Sequence, residues 1–325
     1  RSSAATPTAP TASPGAADLG AAASVGLVPD PAGSPPHLRW LETVPPLRSP
    51  VLITAFEGWN DAGDAATLAA GHVADRWETE PIAEIDAEVF YDFSMTRPLV
   101  QLDEARQRSL TWPTNAFRAA RVPAAEHDVV VLLGLEPQLR WRTFCEQVIG
   151  TARVLGVSRV ITLGALLGDV PHTRPVEVYG ASDDDRLIAE LELAPSSYEG
   201  PTGIVGVLSS ACIDAGIPTA SFWAAVPAYV PGAPSPKAAL SLVNRVCDVV
   251  GTSVYATDLE IASAAYERQV DELVADDDET AGYVTDLEEA YDANVGDDDT
   301  PDEGSLDDDP DTLVAEVERF LRDNE

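Results

Sequence analysis

Apolar positions along this chain follow two alternating rhythms. Short, almost unbroken apolar runs occur at Val51–Phe56, Asp128–Gly134, Arg159–Leu166 and Thr219–Val226. Such continuity over so few residues is what a strand covered on both faces requires. Between them, Ala62–Trp77, Trp141–Leu155, Thr202–Ala215 and Lys237–Val250 read as helices, and Gly156 and Gly216 stand where C′ glycines would end two of them. Strands alternating with helices predict an α/β fold with helices layered around a largely parallel sheet. Leu99–Leu102 and Ser109–Trp112, split by the charged stretch Asp103–Arg108, predict a hairpin on its rim.

This pattern occupies residues 37–255, which we read as an α/β domain. Residues 1–36 are different: 29 of the 36 are Ala, Pro, Ser, Thr or Gly. They hold too little apolar surface to offset ordering entropy, so disorder is expected. The segment lacks a basic n-region, and Ala21–Val28 is a short, weak apolar stretch, so no secretory signal is expected. Residues 256–325 read as an acidic helical extension. Leu259, Ala262, Tyr266, Val270 and Leu273 form a heptad-like stripe that must be covered, by the α/β domain or by another subunit. A homo-oligomer, with a homotrimer the first expectation, follows from the second choice. Further helices are expected at Thr280–Ala293 and Thr312–Arg322, the latter with a stripe of Leu313, Val317, Phe320 and Leu321. The acidic linker Gly296–Pro310 between them should be extended.

Charge narrows the partners. The 325 residues carry 55 Asp and Glu against 20 Lys and Arg, a net charge of −35, and Lys237 is the single lysine. Binding a polyanion needs clustered cations, so nucleic acid is excluded as a general partner. Residues 271–325 hold 23 acids and two arginines, a tail that either solvates the protein or meets a basic partner. Cys145, Cys212 and Cys247 are scattered and odd in number, giving neither a disulfide framework nor a zinc site. No apolar run reaches the ~18 residues of a membrane helix, so a soluble, cytoplasmic protein without a membrane partner is expected.

Ligands of open α/β sheets bind beyond the carboxyl ends of the strands. The segments leaving those ends here are polar and glycine-rich. Glu57, Trp59, Asn60 and Asp61 follow the first run; Glu136 and Arg140 follow the second; His172 and Arg174 follow the third; Tyr198 and Glu199 lead into a helix. Asn60 or Asp61 would serve as an N-cap. Together these ten residues form a candidate binding rim, or else a salt-bridged network that pins long loops. Standard motifs fail. There is no GxGxxG, no GxxxxGK[ST] and no GxSxG, and His37, His72, His127 and His172 give no HExxH site. Asp292, Asn294 and Glu303 fall at calcium-loop positions 1, 3 and 12, but Gly296 and Asp297 invert the required order and Pro301 breaks the loop. Neither a metal nor a cofactor is expected, and no catalytic residue is assigned.

The run Ala55-Phe56-Glu57-Gly58-Trp59-Asn60-Asp61-Ala62-Gly63 has further matches in Tyr91-Asp92-Phe93, Thr96-Arg97-Pro98, Asp169–Pro175, Tyr198–Gly203 and Pro234-Ser235-Pro236-Lys237. Over about residues 38–290 the chain resembles the proteasome assembly chaperone 2 family, in particular its actinobacterial branch. The resemblance implies a three-layer α/β/α sandwich, phosphorylase/hydrolase-like, with C-terminal helices and a trimeric or other homo-oligomeric assembly. It also implies a chaperone role, with proteasome subunits as partners. Relatives that dock on the proteasome often end in hydrophobic-Tyr-any residue, whereas this chain ends Leu321-Arg322-Asp323-Asn324-Glu325, so docking through that tail is not expected. Some relatives have been labelled ATP-grasp-like, yet a single lysine is too few for a triphosphate site. The reading is therefore a non-enzymatic assembly or interaction factor. The alternative is an enzyme or small-molecule-binding protein that uses the loops at the strand ends.

Overall fold

The computed structural model describes residues 30–44, 46–102 and 106–296. Eight strands form one sheet. They are β1 (Leu38–Trp40), β2 (Val51–Glu57), β3 (Glu80–Ile85), β6 (Asn115–Ala120), β7 (Val129–Leu135), β8 (Arg159–Gly168), β9 (Val178–Ser182) and β10 (Thr219–Pro227), in the order β1-β3-β6-β7-β2-β8-β10-β9. The central four, β7-β2-β8-β10, are parallel, whereas β1, β3 and β6 on one flank and β9 on the other pair antiparallel. The four runs expected as strands are these parallel four. The flanking half of the sheet corrects the expectation of a largely parallel one.

The chemistry of the flanks explains why they escaped notice. β6 alternates buried and half-buried positions, β3 carries Pro81 beside a register shift, and β1 has three residues. None contains a continuous apolar run. The two-stranded ribbon of β4 (Leu99–Leu102) and β5 (Arg108–Thr111) forms where a hairpin was expected.

Side chains of the central strands alternate between two helix layers. Val51, Ile53 and Ala55 face α1 (Ala65–Arg76) and α6 (Pro236–Val250), while Leu52 and Phe56 face α3 (Trp141–Leu155) and α5 (Ile204–Asp214). The first layer is alanine-rich, with Ala65, Ala66, Ala69, Ala70 and Ala74 all buried, so α1 lies close on the sheet. The second is aromatic: Phe90, the last residue of α2 (Ala87–Phe90), and Phe56 both pack edge-on against Phe144. The result is a three-layer α/β/α sandwich. α4 (Asp185–Leu191) follows β9, and Asp184 caps it by accepting from the N–H groups of Arg186 and Leu187.

Two further helices, α7 (Thr257–Ala275) and α8 (Asp278–Gly296), follow the sandwich, with α7 packed on α6 and α8 on α7. Tyr266, Val270 and Val274 cover Val230 and its neighbours in the β10–α6 loop, and Leu259 packs on the α1/α6 core. Leu273 is 63% exposed, and Val274 takes the place expected for it. Leu259, Tyr266 and Val270 of the stripe are thus covered within the chain, and Leu273 is left on the surface. The helix expected at 312–322 and the linker before it lie outside the described residues. Of the segment 1–36, only residues 30–36 are described; there Pro35 is buried and the Ser34 hydroxyl accepts from the Trp40 indole at 2.9 Å. Among the described residues no helix is long and apolar enough to cross a membrane. Cys145, Cys212 and Cys247 are free thiols.

Asp128 holds the amino end of the central strands. Its buried carboxylate accepts from the backbone N–H of Arg48 at 2.7 Å and of Val122 at 3.0 Å, and from the Arg48 guanidinium at 2.6 Å. Burial pulls this carboxyl upward, but these hydrogen bonds and the charge of Arg48 outweigh it and hold the group below the usual carboxylate range. We predict that Asp128→Ala costs about 2–3 kcal/mol in urea unfolding, by stranding buried donors. The folded value being the depressed one, the carboxylate's stabilisation is complete above the ordinary value of about 4 and is lost as pH falls through the folded value. The variant should therefore flatten the acid limb of the stability curve.

Candidate functional site at the carboxyl rim

The segment leaving β2 is built around two close approaches. Glu57 ends the strand exposed, and its carbonyl accepts from the Glu136 N–H at 2.9 Å. Gly58 takes φ 138°, and a Cβ there would stand 3.1 Å from the Glu136 Cβ, so the turn requires glycine. Trp59 is 64% exposed. Asp61, expected with Asn60 as a helix cap, accepts from the Ala66 N–H at 2.7 Å, the Thr67 N–H at 3.3 Å and the Thr67 hydroxyl. It caps α1 across a 3-10 turn, Ala62–Asp64. Its burial pushes the carboxyl above its ordinary value, and the three donors pull it partly back. Asn60 works through its carbonyl, which accepts from the Ala165 N–H at 2.8 Å and so ties the loop to β8.

The segment leaving β7 meets the same loop. Glu136 Oε1 accepts from the Ile204 N–H at 2.9 Å, which places a carboxylate on the positive end of α5. Gly203 precedes that helix, and a Cβ on it would lie 2.0 Å from Asn60 Oδ1 and 2.7 Å from Glu136 Oε1. Asn60, Glu136 and the start of α5 are therefore one packed unit. The Tyr91 hydroxyl donates to the Leu135 carbonyl at 2.6 Å, and burial drives its pKa far upward. Arg140, the residue before α3, takes φ 54° and is exposed. Tyr198 is exposed and donates to the Pro201 carbonyl at 2.8 Å, while Glu199 is exposed.

The third segment, after β8, belongs to the helical extension. His172 is 3% exposed. Its N–H donates to the Tyr229 hydroxyl at 2.8 Å, its Nδ1 lies 2.7 Å from that hydroxyl, and its Nε2 lies 3.0 Å from Asp271 Oδ1 on α7. One tautomer satisfies every atom: Nε2–H donates to Asp271, and Nδ1 accepts from Tyr229. Burial pushes the Tyr229 phenol up to about 12, so it keeps the proton this arrangement needs. Arg174 forks onto Asp292 of α8 with two bonds of 2.7 Å. Between them Lys237 donates to the carbonyls of His172 at 2.6 Å and Arg174 at 2.7 Å, and pairs with Glu267 of α7 at 2.5 Å. Tyr283 of α8 donates to Asp169 at 2.7 Å.

The ten rim residues thus divide by environment. Asn60, Asp61 and Glu136 lock loops to helix starts. His172 and Arg174 clamp α7 and α8. Glu57, Trp59, Arg140, Tyr198 and Glu199 are exposed. Two surface depressions, one along Asn244–Val254 and one around Glu190–Glu192 with Phe222 and Arg245, lie toward the other end of α6. Sequence reasoning passed over Glu267, Asp271 and Tyr283, and weighed Asp292 only as a calcium-loop position. The available signal was Lys237: a lone lysine at a Pro-containing helix start in so acidic a chain needs a reason to be there.

Fold and rim together define a three-layer α/β/α protein whose polar strand-end residues join loops and helices to one another. The chain belongs to the PAC2 family, whose profile matches residues 55–274. It is 47% identical to a Mycobacterium tuberculosis proteasome-assembly chaperone homologue, with TM-score 0.66, over 72% of this chain and 99% of that one. It is 46% identical to a PAC2 family protein from Streptomyces avermitilis, with TM-score 0.67 and the same coverage of both chains. A second Mycobacterium tuberculosis protein, of unknown function, is 30% identical with TM-score 0.71, over 82% of this chain and 92% of that one. No functionally curated protein matches the chain.

Two substitutions separate the two groups. Lys237→Met should strand the His172 and Arg174 carbonyls and cost about 1–3 kcal/mol. Amide hydrogen exchange should then quicken in α7 and α8 while β2 and β7 stay protected. Gly203→Ala should destabilise by a similar amount through collision with the Asn60 side chain. Adding Asn60→Ala should recover part of that loss, which a double-mutant cycle measures.

Proposed function

We propose that this protein is a non-enzymatic assembly or interaction factor of the proteasome-assembly-chaperone kind. It acts as a homo-oligomer on a protein client, and proteasome subunits are the first client to test. The observation that carries the reading is the 47% identity to a proteasome-assembly chaperone homologue across 99% of that chain. The geometry supports it. Glu136 and Asp61 are engaged by backbone N–H groups, and His172 and Arg174 by α7 and α8, so their hydrogen-bonding capacity goes into shape. What the rim offers a partner is exposed apolar and aromatic surface: Trp59, Leu139 and Tyr198 are 64%, 45% and 65% exposed. Buried aromatic anchors commonly dominate binding between proteins.

The test is to mix the purified protein with unassembled proteasome α-type subunits and follow complexes by native mass spectrometry. A defined complex that precedes ring formation is expected. Trp59→Ala with Tyr198→Ala should weaken it at least tenfold without lowering the melting temperature. Absence of any complex at micromolar concentrations, with ring formation unchanged in rate, would overturn the reading.

A further inference from the structure

The ribbon of β4 and β5 stands apart from the main sheet and is uncovered on both faces. Its register pairs Leu99 with Thr111, Val100 with Leu110, Gln101 with Ser109 and Leu102 with Arg108, and every one of these residues is exposed. Leu99, Val100, Leu102 and Leu110 are 63%, 50%, 63% and 58% exposed, and Trp112 at its base is 48% exposed. A free two-stranded ribbon is marginally stable in water and usually needs a covering surface. Its mounting is firm. Phe93 packs edge-on against Trp112 with ring centroids 4.9 Å apart, and Gln138 donates to Thr96 at 2.8 Å while accepting from the Asp92 N–H at 2.9 Å. β5 runs on into β6, whose Asn115 pairs with Gly134 at the carboxyl end of β7, so the ribbon projects from the rim.

Charge identifies the cover. Residues 95–112 carry Arg97, Arg106 and Arg108 against Asp103 and Glu104, a net positive segment in a chain of net charge −35. Two ribbons facing each other would bring together segments of the same net sign. The α7–α8 pair offers the opposite: residues 257–296 hold thirteen acids against Arg268. Ile261 and Leu273 on α7 are 66% and 63% exposed among those acids. This pair is clamped to the rim at the ends of β8 and β10, while the ribbon leaves it beside β7. The two surfaces are complementary in net charge, each carries exposed apolar groups, and they are displaced across the same end of one molecule.

We propose that the β4–β5 ribbon of one copy docks on the α7–α8 surface of a second copy, a head-to-tail contact that builds a closed ring. Contacts between unlike surfaces close into rings when the rotation allows, whereas ribbon-on-ribbon contact would stop at a two-fold dimer. The inference rests on the self-association proposed above and names the surfaces that carry it.

The experiment uses the full chain, light scattering at micromolar concentration, and two variants. Leu99→Asp with Leu110→Asp alters only the ribbon; Ile261→Asp with Leu273→Asp alters only exposed positions of α7. Unchanged far-ultraviolet circular dichroism and melting would confirm that both fold. The expected result is an oligomer for the unaltered chain and single-chain mass for each variant alone. An equimolar mixture of the variants should form a 1:1 dimer, because each supplies the surface the other lacks. A monomeric unaltered chain overturns both this proposal and the self-association on which it rests. An oligomer that survives the ribbon substitutions overturns this proposal alone. So does a helix variant that still dimerises, which would mean ribbon-on-ribbon contact, and so does a mixture that stays monomeric.

Discussion

The ε-ammonium of Lys237 lies where the β8 exit, the start of α6 and the helical extension converge. It donates to the carbonyls of His172 and Arg174 and pairs with Glu267 of α7. Buried carbonyls without a donor are costly, and the exit from a parallel strand has no neighbouring strand to supply one. Once Lys237 fixes this segment, His172 can reach Asp271 and Arg174 can reach Asp292. The extension is then held across the rim by hydrogen bonds as well as by the small apolar contact of Tyr266, Val270 and Val230. Its side chain is 16% exposed, which leaves these bonds little diluted by water.

The same economy governs the other half of the rim. Asn60, Glu136 and Gly203 meet so closely that any side chain at 203 would overlap both neighbours. Glu136 answers the first free N–H of α5, a position that other folds leave open to bind an anion. Polar residues gathered at strand ends therefore have two physical outcomes, a ligand site or an internal joint. The joint is the outcome when each donor meets an acceptor from the same chain.

Net charge shapes the surface that remains. With 20 bases against 55 acids, many basic groups serve inside the molecule: Arg48 on Asp128, Arg159 on Glu190, Arg174 on Asp292, Lys237 on Glu267. Two such chains repel at distance, and salt shortens that repulsion to about 8 Å at 0.15 M. The self-association proposed above must then come from contacts that bury apolar surface while setting unlike charges together. The ribbon with its leucines and arginines beside β7, and the acidic helix pair displaced from it across the same rim, satisfy both conditions.

Sequence alone determined the four parallel strands and the helices between them, because their periodicity is local and follows from burial on two faces. It also determined that Asp61 or its neighbour would cap α1, since that bond spans five residues. The antiparallel flanks were decided by tertiary structure: Asn115–Ala120 and Glu80–Ile85 gain their stability from each other and from β7, not from their own composition. Val274 rather than Leu273 faces the core because the crossing of α7 over the β10–α6 loop sets the helix's rotation, and heptad spacing leaves that rotation open. His172 and Asp271 are 99 residues apart, and Arg174 and Asp292 are 118 apart. Their residue types were visible as candidates for chemistry. That they serve instead to hold two helices in place depends on pairing across the fold, which no local pattern encodes.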